Sequence, residues 1–153
     1  MTPARSDLPL EGYFDGREHR FALRVYFEDT DLSGVVYHAN YLRYMERARS
    51  DMLRVAGIDQ RAVFEAGEGA YAVAALAIRY AAPARLDDAL IVVSRLLAVR
   101  AASVVIHQSV RRGAVVLATA EVTVALVAAS GRAKRQPRAW LDIYERLIWQ
   151  GNS

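Results

Sequence analysis

The chain has 153 residues, a formal net charge of +3 and no cysteine. The lack of cysteine excludes disulfides, cysteine-ligated zinc and thiol nucleophiles. Hydrophobic residues make up 54% of the sequence, which argues against extensive disorder and for a domain with a buried core. The mild basicity fits an anionic small ligand. It does not indicate a nucleic-acid partner, because such binders usually concentrate Lys and Arg on one face.

Residues 1–19 are polar and contain two prolines and two glycines, which predicts a flexible N-terminal tail. They lack the apolar core of a signal peptide. No apolar run is long enough to span a membrane, since Arg95, Arg100 and Glu121 interrupt the candidates. We therefore expect a cytoplasmic protein with no membrane span, in which residues 20–153 form a single domain.

Residues 24–54, RVYFEDTDLSGVVYHANYLRYMERARSDMLR, contain the most informative pattern. β-Favouring residues predict a first strand over residues 21–27, and an acidic loop with a Ser-Gly turn follows. Asn40 is a plausible N-cap of a long helix, which ends near Gly57, a natural C′ residue. Apolar residues at helical spacing predict the buried face of this helix: Tyr41, Met45, Ala48, Met52 and Val55.

Asp31 and His38 lie in the loop that leads into this helix. A helix N-terminus offers free backbone N–H groups and a positive dipole end, which suit a developing oxyanion. An isolated aspartate in a loop, however, more often caps or turns the chain. A histidine at a helix entrance can likewise have a purely structural role, so the spacing alone leaves both interpretations open.

The rest of the chain changes to a period of two, which is typical of strands. Strands are predicted over residues 71–80, 90–99, 103–111 and 115–127, and a short amphipathic helix over residues 138–149. The connections between the strands are short, and short links imply antiparallel neighbours. The predicted fold is therefore α+β: five antiparallel strands that wrap one long central helix, with a short C-terminal helix.

Two segments resemble the hotdog-fold acyl-CoA thioesterases. The first comprises residues 28–31 and 34–41, EDTD and GVVYHANY, and the second comprises residues 80–88, YAAPARLDD. The closest branch is the YbgC-like one, which is associated with the Tol–Pal cell-envelope system and related to 4-hydroxybenzoyl-CoA thioesterases. The resemblance implies a hotdog fold. It also implies homodimers joined at their sheet edges, often paired into homotetramers, with active sites at the dimer interface.

The resemblance also implies roles for individual residues. Asp31 matches the catalytic carboxylate, as nucleophile or general base. His38 matches the helix-entrance residue whose backbone N–H, and in this branch whose side chain, faces the thioester. Tyr37 and Asn40 flank this position and are candidate substrate contacts. Neither a metal nor another cofactor is implied.

Two further charged groups have competing interpretations. The basic segment Arg132, Lys134, Arg135 and Arg138 suits the phosphates of coenzyme A, and Arg135 is our candidate substrate contact there. Such a charge run is more often a solvated loop. Glu46, inside the long helix, is interpreted as the ion-pair partner of Arg43, Arg49 or another subunit rather than as a catalytic base.

The sequence thus predicts a thioesterase that hydrolyses a fatty or aromatic acyl-CoA, or an acyl group on an acyl carrier protein. Two alternatives stay open. A hotdog hydratase or dehydratase would use Asp31 and His38 as an acid–base pair. A non-catalytic module would bind acyl-CoA or an acyl carrier, or would serve as a partner of an envelope complex.

Overall fold

A computed structural model describes residues 7–151 of the chain. The strands are β1 (Tyr13–Asp15), β2 (Glu18–Arg24), β3 (Ala70–Tyr80), β4 (Ala89–Val99), β5 (Ser103–Arg112) and β6 (Val115–Val127). The helices are α1 (Asn40–Val55), α2 (Gln60–Glu65) and α3 (Arg138–Leu147), and a 3-10 turn spans Phe27–Asp29. The strands form one antiparallel sheet in the order β1-β2-β4-β5-β6-β3. No helix in this part of the chain is long and apolar enough to cross a membrane.

Helix α1 packs against β2, β4 and β5, as expected for a hotdog fold. Four of the five residues predicted for its apolar face are buried, whereas Val55 is 37% exposed. Tyr44, Asp51 and Leu53 are buried as well, so the buried face is wider than the predicted stripe. The α+β prediction of a sheet around one long helix is confirmed.

The two ends of α1 differ in how well they were predicted. Gly57 has φ +95° and follows the last turn. Its N–H donates to the Arg54 carbonyl, and the Ile58 N–H donates to the Leu53 carbonyl at 2.8 Å, which is a Schellman motif as expected. At the other end Ala39 occupies the N-cap position without a side-chain cap, so the prediction of Asn40 as the N-cap is wrong.

The predicted tail over residues 1–19 is wrong in its C-terminal part. β1 pairs with β2 through the turn at Gly16, where φ is +63°. The sheet therefore has six strands rather than five. The first predicted strand is also displaced, because β2 ends at Arg24 and Phe27–Asp29 forms a 3-10 turn. Residues 1–6 of the predicted tail and the last two residues of the predicted domain lie outside the described residues.

A buried polar pair attaches this N-terminal hairpin to α1. His19 is fully buried, and its Nε2 lies 2.8 Å from Oδ2 of Asp51, which is also buried. The same oxygen accepts the Gly12 N–H at 2.9 Å, and a Cβ at Gly12 would lie 2.7 Å from it. Burial lowers the pKa of His19, and the Asp51 carboxylate partly offsets this shift.

Strand β3 forms one edge of the sheet and, within residues 7–151, pairs only with β6. Several of its large apolar side chains are exposed to solvent: Val73 is 53% exposed, Leu76 41% and Tyr80 44%. A long apolar edge strand with unpaired backbone groups is a template for pairing with another chain. One end of this edge, at Tyr80, leads directly to the candidate site.

Candidate functional site

The acidic loop closes on itself through backbone hydrogen bonds. Thr30 and Val36 form an isolated antiparallel bridge. The Asp31 N–H donates to the Val35 carbonyl at 2.9 Å, and the Gly34 N–H donates to the Asp31 carbonyl at 3.1 Å. Gly34 has φ +82°, a conformation that disfavours residues with a side chain. The tight turn therefore depends on glycine and fixes the backbone at Asp31.

The Asp31 carboxylate lies exposed on this turn. Its Oδ1 accepts the Ser33 hydroxyl at 2.5 Å and the Ser33 backbone N–H at 2.8 Å. These two donors, the hydroxyl first, hold the pKa of Asp31 below its usual value. Because the side chain is exposed, the carboxylate is accessible to a water molecule or to an ester. The loop thus presents an ionised carboxylate in a defined orientation.

His38 lies just before α1, with its ring beside two tyrosines. The ring centroids are 4.5 Å from Tyr37 and 6.3 Å from Tyr80, the latter edge-to-face. The Tyr80 hydroxyl donates to the His38 carbonyl at 2.8 Å. Across residues 7–151, the ring nitrogens of His38 form no hydrogen bond, and neither do the backbone N–H groups of His38 and Ala39. These two N–H groups at the helix entrance are the candidate oxyanion donors.

Asn40 and Asp29 hold the helix entrance in place. The Asn40 side-chain amide donates to the Asp29 carbonyl at 2.8 Å, and the Tyr37 N–H donates to the same oxygen at 3.0 Å. The Asp29 carboxylate accepts the Tyr26 N–H at 2.8 Å. One N–H of the Asn40 amide, which was predicted as a substrate contact, is therefore used by the loop that carries Asp31.

The second segment singled out in the sequence, residues 80–88, packs against the first. The Val36 N–H donates to the Ala84 carbonyl at 2.8 Å, and the Ala84 N–H donates to the Tyr41 hydroxyl at 2.9 Å. Val35 and Arg85 form an isolated bridge. The two motifs are far apart in sequence, since the hydrogen bonds that join them link residues 42 and 43 positions apart. Together they form one wall of the site.

Arg135 does not join Asp31 within one chain. The basic loop follows β6, where Ala133 bridges Val127, and Val127 pairs with Ala70 at the start of β3. Tyr80 and the site lie at the other end of this 11-residue strand. At about 3.3 Å per residue, the two ends are roughly 30 Å apart.

Two further findings concern residues that the sequence left undecided. The hydrogen bond from Tyr80 to the helix entrance was not predicted, because neither the strand pattern nor the segment of residues 80–88 indicates which residue the Tyr80 hydroxyl contacts. Glu46 forms no ion pair with Arg43 or Arg49 within residues 7–151, so the expected pairing inside one chain is wrong.

Comparison with known proteins gives consistent matches. Residues 25–143 match the family model described as the thioesterase-like superfamily. The acyl-CoA thioesterase YbgC of Haemophilus influenzae is 43% identical over 107 residues, which cover 70% of this chain and 79% of the relative. The probable thioesterase from Bartonella henselae has a TM-score of 0.73 at 35% identity, covering 78% of this chain and 99% of that one. The DHNA-CoA thioesterase from Staphylococcus aureus has a TM-score of 0.80 at 18% identity, and the match covers 85% of this chain and 90% of that one. At this low identity, the match supports the fold alone.

The contact between Ser33 and Asp31 gives a first prediction. Substituting Ser33→Ala removes the hydroxyl that most favours the ionised carboxylate, so the pKa of Asp31 should rise toward its usual value. The backbone N–H of residue 33 remains, and the rise should therefore be partial. Carboxyl carbon shifts followed by NMR across an acid titration measure this change. Thr30→Val is the matched control, because it removes a hydroxyl of the same loop that donates to the Phe27 carbonyl and not to Asp31. An equal rise in the pKa of Asp31 in Thr30→Val would contradict the assignment.

Proposed function

The chain belongs to the thioesterase-like superfamily, and on this premise we propose that it hydrolyses acyl-CoA thioesters to a free acid and coenzyme A. One observation carries the proposal: an ionised, exposed carboxylate at Asp31 shares a loop with free backbone N–H groups at the start of α1. Thioester hydrolysis needs these two elements, a group that delivers oxygen to the carbonyl carbon and a donor for the oxyanion.

Two routes use Asp31 differently. As a general base, its carboxylate takes a proton from water while the water oxygen attacks the carbonyl carbon. As a nucleophile, the carboxylate attacks directly and expels the thiolate, and water then opens the acyl anhydride. In either route the backbone N–H groups of His38 and Ala39 stabilise the oxyanion, and one such donor is worth about 3–4 kcal/mol in the transition state. Hydrolysis in ¹⁸O-labelled water under single turnover tests the nucleophilic route, since a carboxylate oxygen of the protein enters the product only when water opens an anhydride at the Asp31 carbonyl.

The other predicted site residues have supporting roles in this proposal. The His38 ring and Tyr37, which is 48% exposed, flank the entrance of α1 and contact the substrate beside the thioester. Asn40 orients the loop through one amide N–H on the Asp29 carbonyl, and its second N–H and Oδ1 serve as the substrate contact.

The geometry disfavours a hydratase or dehydratase. That chemistry needs an imidazole and a carboxylate that act together as acid and base. The Asp31 carboxylate accepts hydrogen bonds from Ser33, and within residues 7–151 no hydrogen bond joins it to the His38 ring. The non-catalytic binding module differs from the enzyme only in turnover, which the first experiment below measures.

We further propose that two copies pair along β3 about a two-fold axis, as a homodimer that can pair again into a tetramer. The free backbone edge and exposed apolar side chains of β3 support this arrangement. Antiparallel pairing places the Tyr80 end of one strand beside the Ala70 end of the other. The basic loop of one subunit then lies near Asp31 of the partner subunit, although the two are distant in one chain.

In that dimer, Arg135 contacts the phosphates of coenzyme A bound in the other subunit's site. Arginine suits this role because its planar guanidinium binds phosphate oxygens with two N–H groups. The carrier can be coenzyme A or an acyl carrier protein, since both present the acyl group on phosphopantetheine. The proposal places the reaction in the cytoplasm, which contains both carriers.

Asp31→Asn tests the catalytic assignment. The amide keeps the size of the side chain but can neither take a proton nor attack, so kcat/KM should fall about 100- to 10,000-fold. Thiol release from short, long and aromatic acyl-CoAs measures this loss. Asp142→Asn, an exposed aspartate on α3, should retain wild-type activity. Full activity of Asp31→Asn would remove this residue from the mechanism, and an inert wild type would favour the binding module.

Leu76→Lys tests the dimer. A lysine at the centre of β3 places a charge on the proposed interface, so sedimentation equilibrium should show dissociation to monomers together with loss of activity. Leu97→Lys is the control, because Leu97 on β4 is 37% exposed, against 41% for Leu76. If Leu76→Lys keeps the wild-type mass, or if the wild type is itself a monomer, the edge pairing is wrong.

Arg135→Met tests the phosphate contact. Loss of a guanidinium that binds phosphate equally in the ground and transition states should raise KM with little change in kcat. The effect should shrink at high salt, because screening already weakens the contact in the wild type. Arg146→Met, at the exposed end of α3, is the matched control. Equal KM values for the two variants would place Arg135 outside the site.

A further inference from the structure

The backbone N–H groups of His38 and Ala39 belong to two successive peptide groups at the entrance of α1. A trans peptide group is planar, and its N–H and C=O bonds point in opposite directions. The carbonyl that shares a peptide group with the His38 N–H is that of Tyr37, and the carbonyl that shares one with the Ala39 N–H is that of His38. Whatever binds these two carbonyl oxygens therefore fixes the direction of the two candidate donors.

Both carbonyl oxygens accept a hydrogen bond, but from different kinds of donor. The Tyr37 carbonyl accepts the backbone N–H of Asn40 at 2.8 Å, and any residue except proline can supply that group. The His38 carbonyl accepts the hydroxyl of Tyr80 at 2.8 Å, from a residue 42 positions away. The orientation of the second peptide group thus depends on a single side chain, and one substitution can remove that bond.

Tyr80 is rigidly supported where it makes this contact. It is the last residue of β3 and pairs with Ala118 of β6. Its ring lies edge-to-face against the ring of Tyr41, with the centroids 5.4 Å apart. Tyr41 is buried, and its hydroxyl accepts the Ala84 N–H at 2.9 Å. The backbone and the ring of Tyr80 are therefore both held, which fixes the position of its hydroxyl.

The hydroxyl of Tyr80 is the donor in this bond, because a carbonyl oxygen can only accept. Partial burial, and after it the neighbouring Tyr41, raises the pKa of Tyr80 above its usual value. The phenol therefore keeps its proton at neutral pH. The His38–Ala39 peptide group is held in the same way throughout the neutral pH range.

We infer that Tyr80 is a positioning residue for the oxyanion site: its hydroxyl holds the His38–Ala39 peptide group so that the N–H groups of His38 and Ala39 face the thioester oxygen together. This inference rests on the proposed hydrolysis and assigns a side chain to one part of it. Rotation of this peptide group would change the angle between the two donors. Tyr80 acts through the backbone and does not itself contact the reacting atoms.

The same bond also strengthens the Ala39 N–H as a donor. Hydrogen bonds in a chain polarise one another, which strengthens each by about 10–30%. A hydroxyl on the carbonyl of a peptide group and an oxyanion on its N–H form such a chain. The contribution of Tyr80 therefore appears only when the oxyanion forms, in the transition state.

The size of the effect on kcat follows from these quantities. Loss of one oxyanion donor lowers kcat about 100- to 1,000-fold. On the logarithmic scale of free energy, 10–30% of that contribution corresponds to about two- to eightfold. If the peptide group also turns away, the fall approaches about 100-fold. KM should change little, because the interaction is made in the transition state and not in the ground state.

Tyr80→Phe tests this role, since phenylalanine keeps the ring that packs on Tyr41 and removes only the hydroxyl. We would measure kcat and KM for the acyl-CoA that the wild type hydrolyses fastest. We would also measure Kd for the matching S-alkyl-CoA thioether, which has no carbonyl oxygen. We expect kcat to fall at least about twofold, with the thioether Kd unchanged. Tyr13→Phe, which removes the hydroxyl of an exposed tyrosine on β1, should keep the wild-type kcat.

Two non-natural side chains at position 80 guard against a folding defect in Tyr80→Phe. 4-Aminophenylalanine and 4-methylphenylalanine, introduced by amber suppression, carry groups of similar size where tyrosine has its hydroxyl. Only the amine can donate to the His38 carbonyl, so it should give the higher kcat. A purely structural role of the ring predicts equal kcat values, because both side chains fill the same space.

Three results would overturn the inference and leave the proposed function intact. They are an unchanged kcat in Tyr80→Phe, a thioether Kd that weakens as much as kcat/KM falls, and equal kcat values for the amine and the methyl side chain. The second result would make Tyr80 a ground-state substrate contact. Absence of hydrolysis of every acyl-CoA by the wild type would instead overturn the proposed function.

Discussion

The site depends on a small set of hydrogen bonds that join the acidic loop to residues 80–85. The Val36 N–H donates to the Ala84 carbonyl, and the Ala84 N–H donates to the Tyr41 hydroxyl on α1. These bonds hold a loop, a turn and a buried helix in one arrangement. Together with the bonds from Asn40 and Tyr37 to the Asp29 carbonyl, they fix the position of Asp31 relative to the helix entrance.

The elements predicted best are those whose signal is local. The bounds predicted for β6 agree with the structure because its apolar alternation is unbroken, and the end of α1 follows from one glycine. The hairpin of β1 and β2 was missed because its stabilisation is not local. The buried His19 pairs with Asp51, which lies 32 residues away on α1. Without knowledge of that partner, polar residues around two glycines resemble a tail.

In the candidate site, too, local sequence signals were predictable and contacts between distant residues were not. Asp31 and His38 could be identified because they lie in one contiguous motif that the resemblance covers. The contact of Tyr80 with the helix entrance arises from strand pairing that brings together residues 42 positions apart.

Several features that are open in a single chain lie along the β3 edge. Within residues 7–151 the backbone of β3 pairs only with β6, its apolar side chains are exposed, and a cavity beside Tyr71 is lined by Arg49, whose side chain makes one hydrogen bond. A protein that had to be stable only as a monomer would gain from a charged or shorter edge strand. In the proposed dimer, the two-fold partner covers the edge and the cavity together, and it also brings the basic loop to the carboxylate. Under this proposal, the surface that is costly in a single chain completes the site, and catalytic competence depends on assembly.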